Sequence, residues 1–448
     1  MLLQRKKTTV KIGFFNLEPQ VVLSHVCRRW RSISLSYPSL WTSFSHHGCQ
    51  SSLRSLARLD AYLERSTSRA LELWFDFVGD HSENHFILLE KVLPHIKRWK
   101  RVTILSGKDN PTFSFLHSIC AVAAPNLEHF VLRFHILDSR RDSDLSVDCL
   151  EPTIFTNGAP KLQSLTLDCS SLVSLPPLSA ITTLRLEAVN LKPVYPFSWL
   201  TFLAILSLPS LASLSLVGQV FEHPQTSTAP LITMNNLIHL RTYGHGVLLP
   251  LLPHLRAPSL ETLNIHCDWF SVNFGTVGEP QAFPSLQSLY LSEVFAGLPQ
   301  SAWYFVQLTN YATQILISQQ GPFESFFAVL QHYQHFPPTA YWTNLKLLIF
   351  NMAPTELALI PVLAKFAEGR PKNPLILRIF DGMDRFWRQA EPTQYEALRG
   401  LCTIEIMDSA DNPLAQGIDW PPGEEVDSNY IYETDDPFDI EPYSPISE

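Results

Sequence analysis

The 448-residue sequence predicts an α/β fold: a solenoid built on a curved parallel sheet, with helices or loops of unequal length outside it. Three observations carry the prediction. An apolar phrase of constant internal spacing recurs through the middle of the chain. Prolines keep register with it, two residues ahead of the phrase in five copies: Pro125, Pro160, Pro209, Pro258 and Pro284. The composition is 46% hydrophobic and 17% charged, which supplies a large core and excludes a mainly disordered chain. The chain is also long for one ordinary compact domain, so a repeat array is a natural architecture. The expected division is a basic segment 1–18, a small helical segment 19–47, the solenoid 48–408 and an acidic tail 409–448.

Met1–Lys11 carries Arg5, Lys6, Lys7 and Lys11 with no apolar block behind them, so it does not read as a secretory signal. In the next segment, Leu23, Val26, Cys27, Trp30 and Ile33 recur at three- and four-residue spacing and predict one apolar helix face. Arg28, Arg29 and Arg31 fall mostly on the other side. Tyr37-Pro38 ends the helix, and Leu40-Trp41 begins a short turn expected to fold back on Trp30. Leu71-x-Leu73-x-Phe75-x-Phe77 alternates as a strand, His85 to Ile96 reads as a helix, and Val102 to Leu105 as the next strand.

The recurring phrase is apolar-x-x-apolar-x-apolar. It occurs as Leu127-x-x-Phe130-x-Leu132, Leu162-x-x-Leu165-x-Leu167 and Ile181-x-x-Leu184-x-Leu186. It returns at Leu211, Leu260, Leu286 and Leu345, with a weaker copy at Leu237. The last two apolar positions alternate on one face of a short strand, and the first packs from the entering turn. A strand that buries one side needs a neighbouring repeat to cover it. This is the leucine-rich-repeat phrase, and the fold class expected is an irregular leucine-rich-repeat solenoid. The irregularity shows in the spacing, from 19 residues (Leu162 to Ile181) to 59 (Leu286 to Leu345). The long gap predicts a further unit at Thr313 to Ile317 and a helix at Phe323 to Tyr333. Downstream, Glu356 to Glu368 reads as a helix, Leu375 to Phe380 as a strand, Gln394 to Gly400 as a short helix and Thr403 to Met407 as a last strand.

The tail from Asp419 onward holds ten carboxylates and no Lys or Arg, against a net charge of −9 for the whole chain. It repels itself and is expected to be disordered. The remaining body is near neutral, which leaves no electrostatic case for nucleic acid. No apolar run approaches the length of a membrane span. Seven scattered cysteines, odd in number and never Cys-x-x-Cys, read as thiols of a reducing compartment, cytosol or nucleus.

The block Val21–Phe44, through Leu23, Val26, Cys27, Arg28, Trp30, Arg31, Leu35, Pro38, Leu40 and Trp41, resembles the second half of an F-box in a large set of fungal F-box proteins. Leu63-Glu64-Arg65-Ser66 with Leu71-x-Leu73 is similar to that family's continuation. The family's opening Leu-Pro and amphipathic helix have no counterpart in Met1–Glu18, so the amino-terminal half of the box is expected to be missing or degenerate. The resemblance implies a non-catalytic adaptor of a cullin-based ubiquitin ligase. The helices would bind a Skp1-type adaptor and through it a cullin, and the repeat domain would hold the target protein. Adaptor contact is then expected at Leu23, Val26, Cys27, Trp30, Leu40 and Trp41. The alternative is a repeat scaffold with a degenerate box and no ligase role.

The variable positions between the strand leucines point away from the core and form the expected partner surface. Thr166, Arg185, Ser215, Asn264 and Tyr290 represent it. Mostly small and hydroxylated, this surface suits a shape-matched protein better than a charged ligand. Outside a complex, a monomer is expected. Enzyme signatures are missing: no Gly-rich phosphate loop, no Gly-x-Ser-x-Gly and no His-Glu-x-x-His. His46-His47 with Cys49, and His266-Cys267-Asp268, read as loop or outward-facing neighbours rather than metal ligands. No catalytic residue, metal or cofactor is expected.

Overall fold

The computed structural model describes residues 19–47, 52–77, 85–107, 112–135, 150–168, 174–188, 197–222, 231–244, 247–248, 251–266, 269–270, 282–296, 299–319, 341–352, 357, 359–368, 370, 375–407 and 420. The strands are β1 (Ser43–His47), β2 (Leu71–Asp76), β3 (Trp99–Gly107), β4 (His129–His135), β5 (Ser164–Asp168), β6 (Thr183–Glu187) and β7 (Ser213–Val217). Then come β8 (Ile232–Thr233), β9 (His239–Tyr243), β10 (Leu255–Arg256), β11 (Thr262–His266), β12 (Trp269–Phe270), β13 (Ser288–Ser292) and β14 (Phe295–Ala296). The last are β15 (Gln314–Gln319), β16 (Leu347–Met352), β17 (Ile376–Phe380) and β18 (Thr403–Met407). Fourteen of them form one parallel sheet in the order β1-β2-β3-β4-β5-β6-β7-β9-β11-β13-β15-β16-β17-β18. β8 with β10, and β12 with β14, make two short parallel pairs apart from it.

Spatial order follows chain order, as expected when each unit stacks on the one before it. The register keeps the phrase aligned: Leu165 faces Leu184, Leu184 faces Leu214, Leu214 faces Leu240, and Leu263 faces Leu289. One face of the sheet is therefore a continuous apolar layer. It is buried with the phrase-opening residues Leu127, Leu162, Ile181, Leu211, Leu237, Leu260, Leu286 and Leu345 in a single core. Helix residues such as Phe202, Phe305, Phe366, Trp387 and Tyr395 close that core.

The proline register has a specific cause. The N–H of the opening leucine bonds back three residues: Leu127 to Ala124, Leu162 to Ala159, Leu211 to Leu208, Leu260 to Ala257 and Leu286 to Phe283. Each bond closes a four-residue turn in which the proline is the second residue. That position wants φ near −65°, which the pyrrolidine ring supplies. The proline thus fixes a tight turn rather than only interrupting what precedes it. After β7, Gly218 sits at φ +69°, and a Cβ there would lie 2.2 Å from the Ala188 carbonyl oxygen, so no other residue fits without moving backbone.

Several expectations are corrected. The long sheet begins inside the segment assigned to helices, because β1 pairs with β2 from Ser43 onward. The predicted single helix is broken at Cys27, giving α1 (Pro19–Val26) and α2 (Arg28–Ser36). Cys27 is extended (φ −159°, ψ 171°) and its thiol accepts the Trp30 N–H at 3.5 Å, a cap that starts a second helix. The sequence reading leaves out α3 (Ser52–Arg65) and the helix Asp381–Ala390, although the apolar residues of both recur at helical spacing. The strand expected at Thr313 to Ile317 is β15, and those at Leu375 to Phe380 and Thr403 to Met407 are β17 and β18. The helix expected at Phe323 to Tyr333 lies outside the described residues, as does the acidic tail apart from Trp420. No helix among the described residues is long and apolar enough to cross a membrane.

Candidate functional site

Two surfaces come from the residues singled out above. The first is the amino-terminal hairpin. Arg31 Nε donates to the Ser24 carbonyl at 2.9 Å, which satisfies an orphan acceptor near the end of α1 and ties the two helices together. Pro38–Trp41 then makes one 3₁₀ turn. Trp41 Nε1 donates back to the Ser34 carbonyl at 2.7 Å. Its ring meets Tyr62 edge-on at 5.1 Å, under the Arg65 guanidinium at 4.4 Å. Both partners lie on α3. Trp41 is therefore 2% exposed and belongs to the main core, with Leu40 half-buried against it. In the free chain it is core rather than surface, and it packs on Tyr62 rather than folding back on Trp30.

The rest of the hairpin behaves oppositely. Val26 is 61% and Trp30 49% exposed. Val22, Ile33, Leu35 and Tyr37 are exposed beside them, as is Cys27, and Leu23 is half-buried. Short helices rarely present so many large apolar side chains to water, and such patches mark docking surfaces.

The second surface is the open face of the sheet, away from the core. The strand registers align one row across it: Ser45, Trp74, Thr103, Val131, Thr166, Arg185, Ser215, Arg241, Asn264, Tyr290, Leu316, Ile349, Arg378 and Glu405. All five residues expected on the partner surface fall in this row. Thr166, Asn264 and Tyr290 are half-buried, whereas Arg185 and Ser215 are buried. The reason is a polar network. Glu187 Oε1 accepts from Arg185 Nε at 2.5 Å and from Arg133 Nη2 at 2.7 Å, with all three side chains largely buried. Ser215 Oγ accepts from Arg241 Nε at 2.6 Å. Arg185 is therefore held in a buried ion-pair network rather than standing exposed between the strand leucines.

Burial also tunes the histidines. His129 is pushed down to about 4, first by desolvation and then by Arg101 and Lys100. His239 is lowered by burial, with Glu261 pulling the other way. Burial raises the Tyr290 phenol, opposed by its hydrogen bond with Ser288. His46 is buried on β1, with Nδ1 2.9 Å from Ser55 Oγ, so it is no loop residue. His266 ends β11, buried, its ring 4.8 Å from that of Tyr243. Among the described residues no three His, Cys, Asp or Glu side chains gather as a metal site.

One contact has no sequence signal. Trp420, from the segment expected to be disordered, lies on the open face. Its ring centroid is 4.9 Å from the Arg241 guanidinium carbon and 5.7 Å from the His239 ring. No family model matches the chain, and no curated protein matches it significantly.

Proposed function

We propose that this protein is a non-catalytic receptor subunit of a ubiquitin ligase, an F-box-like hairpin followed by an irregular leucine-rich-repeat body. The hairpin docks on a Skp1-type adaptor, and the open face of the sheet holds the protein to be modified. The observation that carries the reading is the exposed apolar face of α1 and α2, centred on Val26 and Trp30. A side chain such as Trp30, aromatic and rigid, makes an effective anchor once a partner covers it. The division of labour is physical: Trp41 holds the hairpin to the body, and Trp30 is left for the partner. The ligase then works by proximity, bringing a target lysine to a charged conjugating enzyme carried by another subunit.

The test is binding of a purified Skp1-type adaptor to the full chain by calorimetry, beside a Val26→Glu/Trp30→Ala variant. Micromolar or tighter binding, weakened about thirtyfold or more in the variant, is expected for loss of a hot spot of about 2 kcal/mol. No binding by a folded wild-type chain overturns the ligase role and leaves a repeat scaffold with an amino-terminal cap.

A further inference from the structure

The outward positions of a sheet are normally wet. Several positions of this row are dry, Thr103, Leu316 and Ile349 among them, and at β7 and β9 so are Ser215 (2% exposed) and Arg241 (3%). The Trp420 indole lies over Arg241, whose Nε is anchored on Ser215 Oγ. His239 stands edge-on to the same indole at an interplanar angle of 68°. Floor and wall are thus an arginine and a histidine on one strand, and the geometry is that of a cation–π seat.

A second feature surrounds this seat. Ser213 Oγ, His239 Nδ1, Asn264 Oδ1 and Trp420 Nε1 are buried with no hydrogen-bond partner among the described residues. They are neighbours: Ser213 pairs with His239 across β7 and β9, and Arg241 with Asn264 across β9 and β11. Each buried polar atom left unsatisfied costs about 1–3 kcal/mol. Trp420 supplies a ring to the site but leaves its hydrogen-bonding positions unused. An occupant that brings an indole together with its own backbone amides would satisfy both. In sequence Trp420 follows Asp419 and precedes Pro421-Pro422, with Glu424-Glu425 beyond. A residue before proline is held extended, and the sequence around this tryptophan is acidic.

We propose that β7, β9 and β11 form a docking site for a tryptophan in an extended acidic segment of a partner protein, and that Trp420 occupies it in the resting chain as an internal competitor. This deepens the reading of the open face as the target-holding surface by naming the chemistry of the target. It does not depend on the adaptor, so adaptor binding and this site fail or stand separately.

The experiment uses a fluorescein-labelled peptide with the sequence of residues 415–425 and fluorescence anisotropy. The full chain carrying Trp420→Ala is expected to bind it saturably. Wild type is expected to bind about tenfold or more weakly, because only the fraction with an empty seat competes. A peptide with alanine in place of the tryptophan should bind neither chain. Adding Arg241→Gln to the Trp420→Ala chain should weaken binding about tenfold through loss of the cation–π contact and its hydrogen bond. Thermal melts of every variant are run alongside, and Trp420→Gln replaces Trp420→Ala if the latter melts early. Equal binding by wild type and the Trp420 variant overturns the competitor role. No binding by a natively melting Trp420 variant overturns the site.

Discussion

The amino-terminal hairpin and the repeat body use the same residue types in opposite ways. In the body, Leu165, Leu184, Leu214, Leu240, Leu263 and Leu289 are all buried, because each strand is flanked by its neighbours and covered by the phrase-opening residues and the turns that follow. In the hairpin, Val22, Val26, Trp30, Ile33, Leu35 and Tyr37 are exposed, because among the described residues no second layer covers that side of the two short helices. Burial is a property of the neighbour as much as of the residue. An apolar side chain in a repeat carries stability, and the same side chain on the hairpin contributes little to it while exposed.

The two tryptophans of the hairpin test this most sharply. Trp41→Ala removes a fully packed ring and should cost about 3–5 kcal/mol in denaturant unfolding. Trp30→Ala should stay within about 0.5 kcal/mol of wild type, as exposed substitutions do. Equal losses at both positions would break the comparison.

The dryness of the body has a pH signature. His129 is pushed down to about 4 from an ordinary value of 6.5. Above pH 6.5 it is neutral in both states, and its contribution to stability is fully present. As pH falls from 6.5 toward 4 the unfolded chain takes up a proton that the folded chain refuses, so stability is lost, by at most about 3 kcal/mol. Below pH 4 the loss levels off. Urea midpoints of wild type and His129→Gln should converge across that window, and parallel curves would contradict the assignment.

Next in size is the closing end of the array. Asp384 is buried on the helix Asp381–Ala390, accepts from Arg388 Nη2 at 2.9 Å and from the Tyr395 hydroxyl, and helps to raise that phenol to about 12 after burial itself. Asp384→Asn should cost about 1–3 kcal/mol, since two donors lose a charged acceptor. A Tyr395→Phe background should absorb part of that loss in a double-mutant cycle.

The smallest stability effect belongs to the hairpin surface. Val26→Lys should leave the melting temperature within a degree or two, following from a change of under about 0.5 kcal/mol. The same variant should bind adaptor markedly less well, which separates affinity from stability on one residue.

Much of the body is legible in the residues alone. The phrase at Leu165 and Leu167 alternates with period two, and Pro160 locks a local dihedral. Both signals act within a few residues, so strand positions and register follow from them. Helix Asp381–Ala390 is legible in the same way and is missed by the sequence reading: Met383, Phe386, Trp387 and Ala390 recur at three- and four-residue spacing. What packs it is the Tyr395 and Trp387 side of the core. The spacing of Cys27 fits a helix face, while its thiol actually caps the next helix.

By itself, then, the sequence determined the recurring strands of a long parallel sheet and the apolar spacing of the amino-terminal helices, since these depend on periodicity. Only the tertiary structure decided which tryptophan is core and which is surface, for that rests on Tyr62 and Arg65 of α3 arriving over Trp41. It also decided that Arg185 is bound internally by Glu187 and that Trp420 returns to Arg241. Contacts between residues on different strands or from distant parts of the chain obey no local period, and their cause lies in how the units stack.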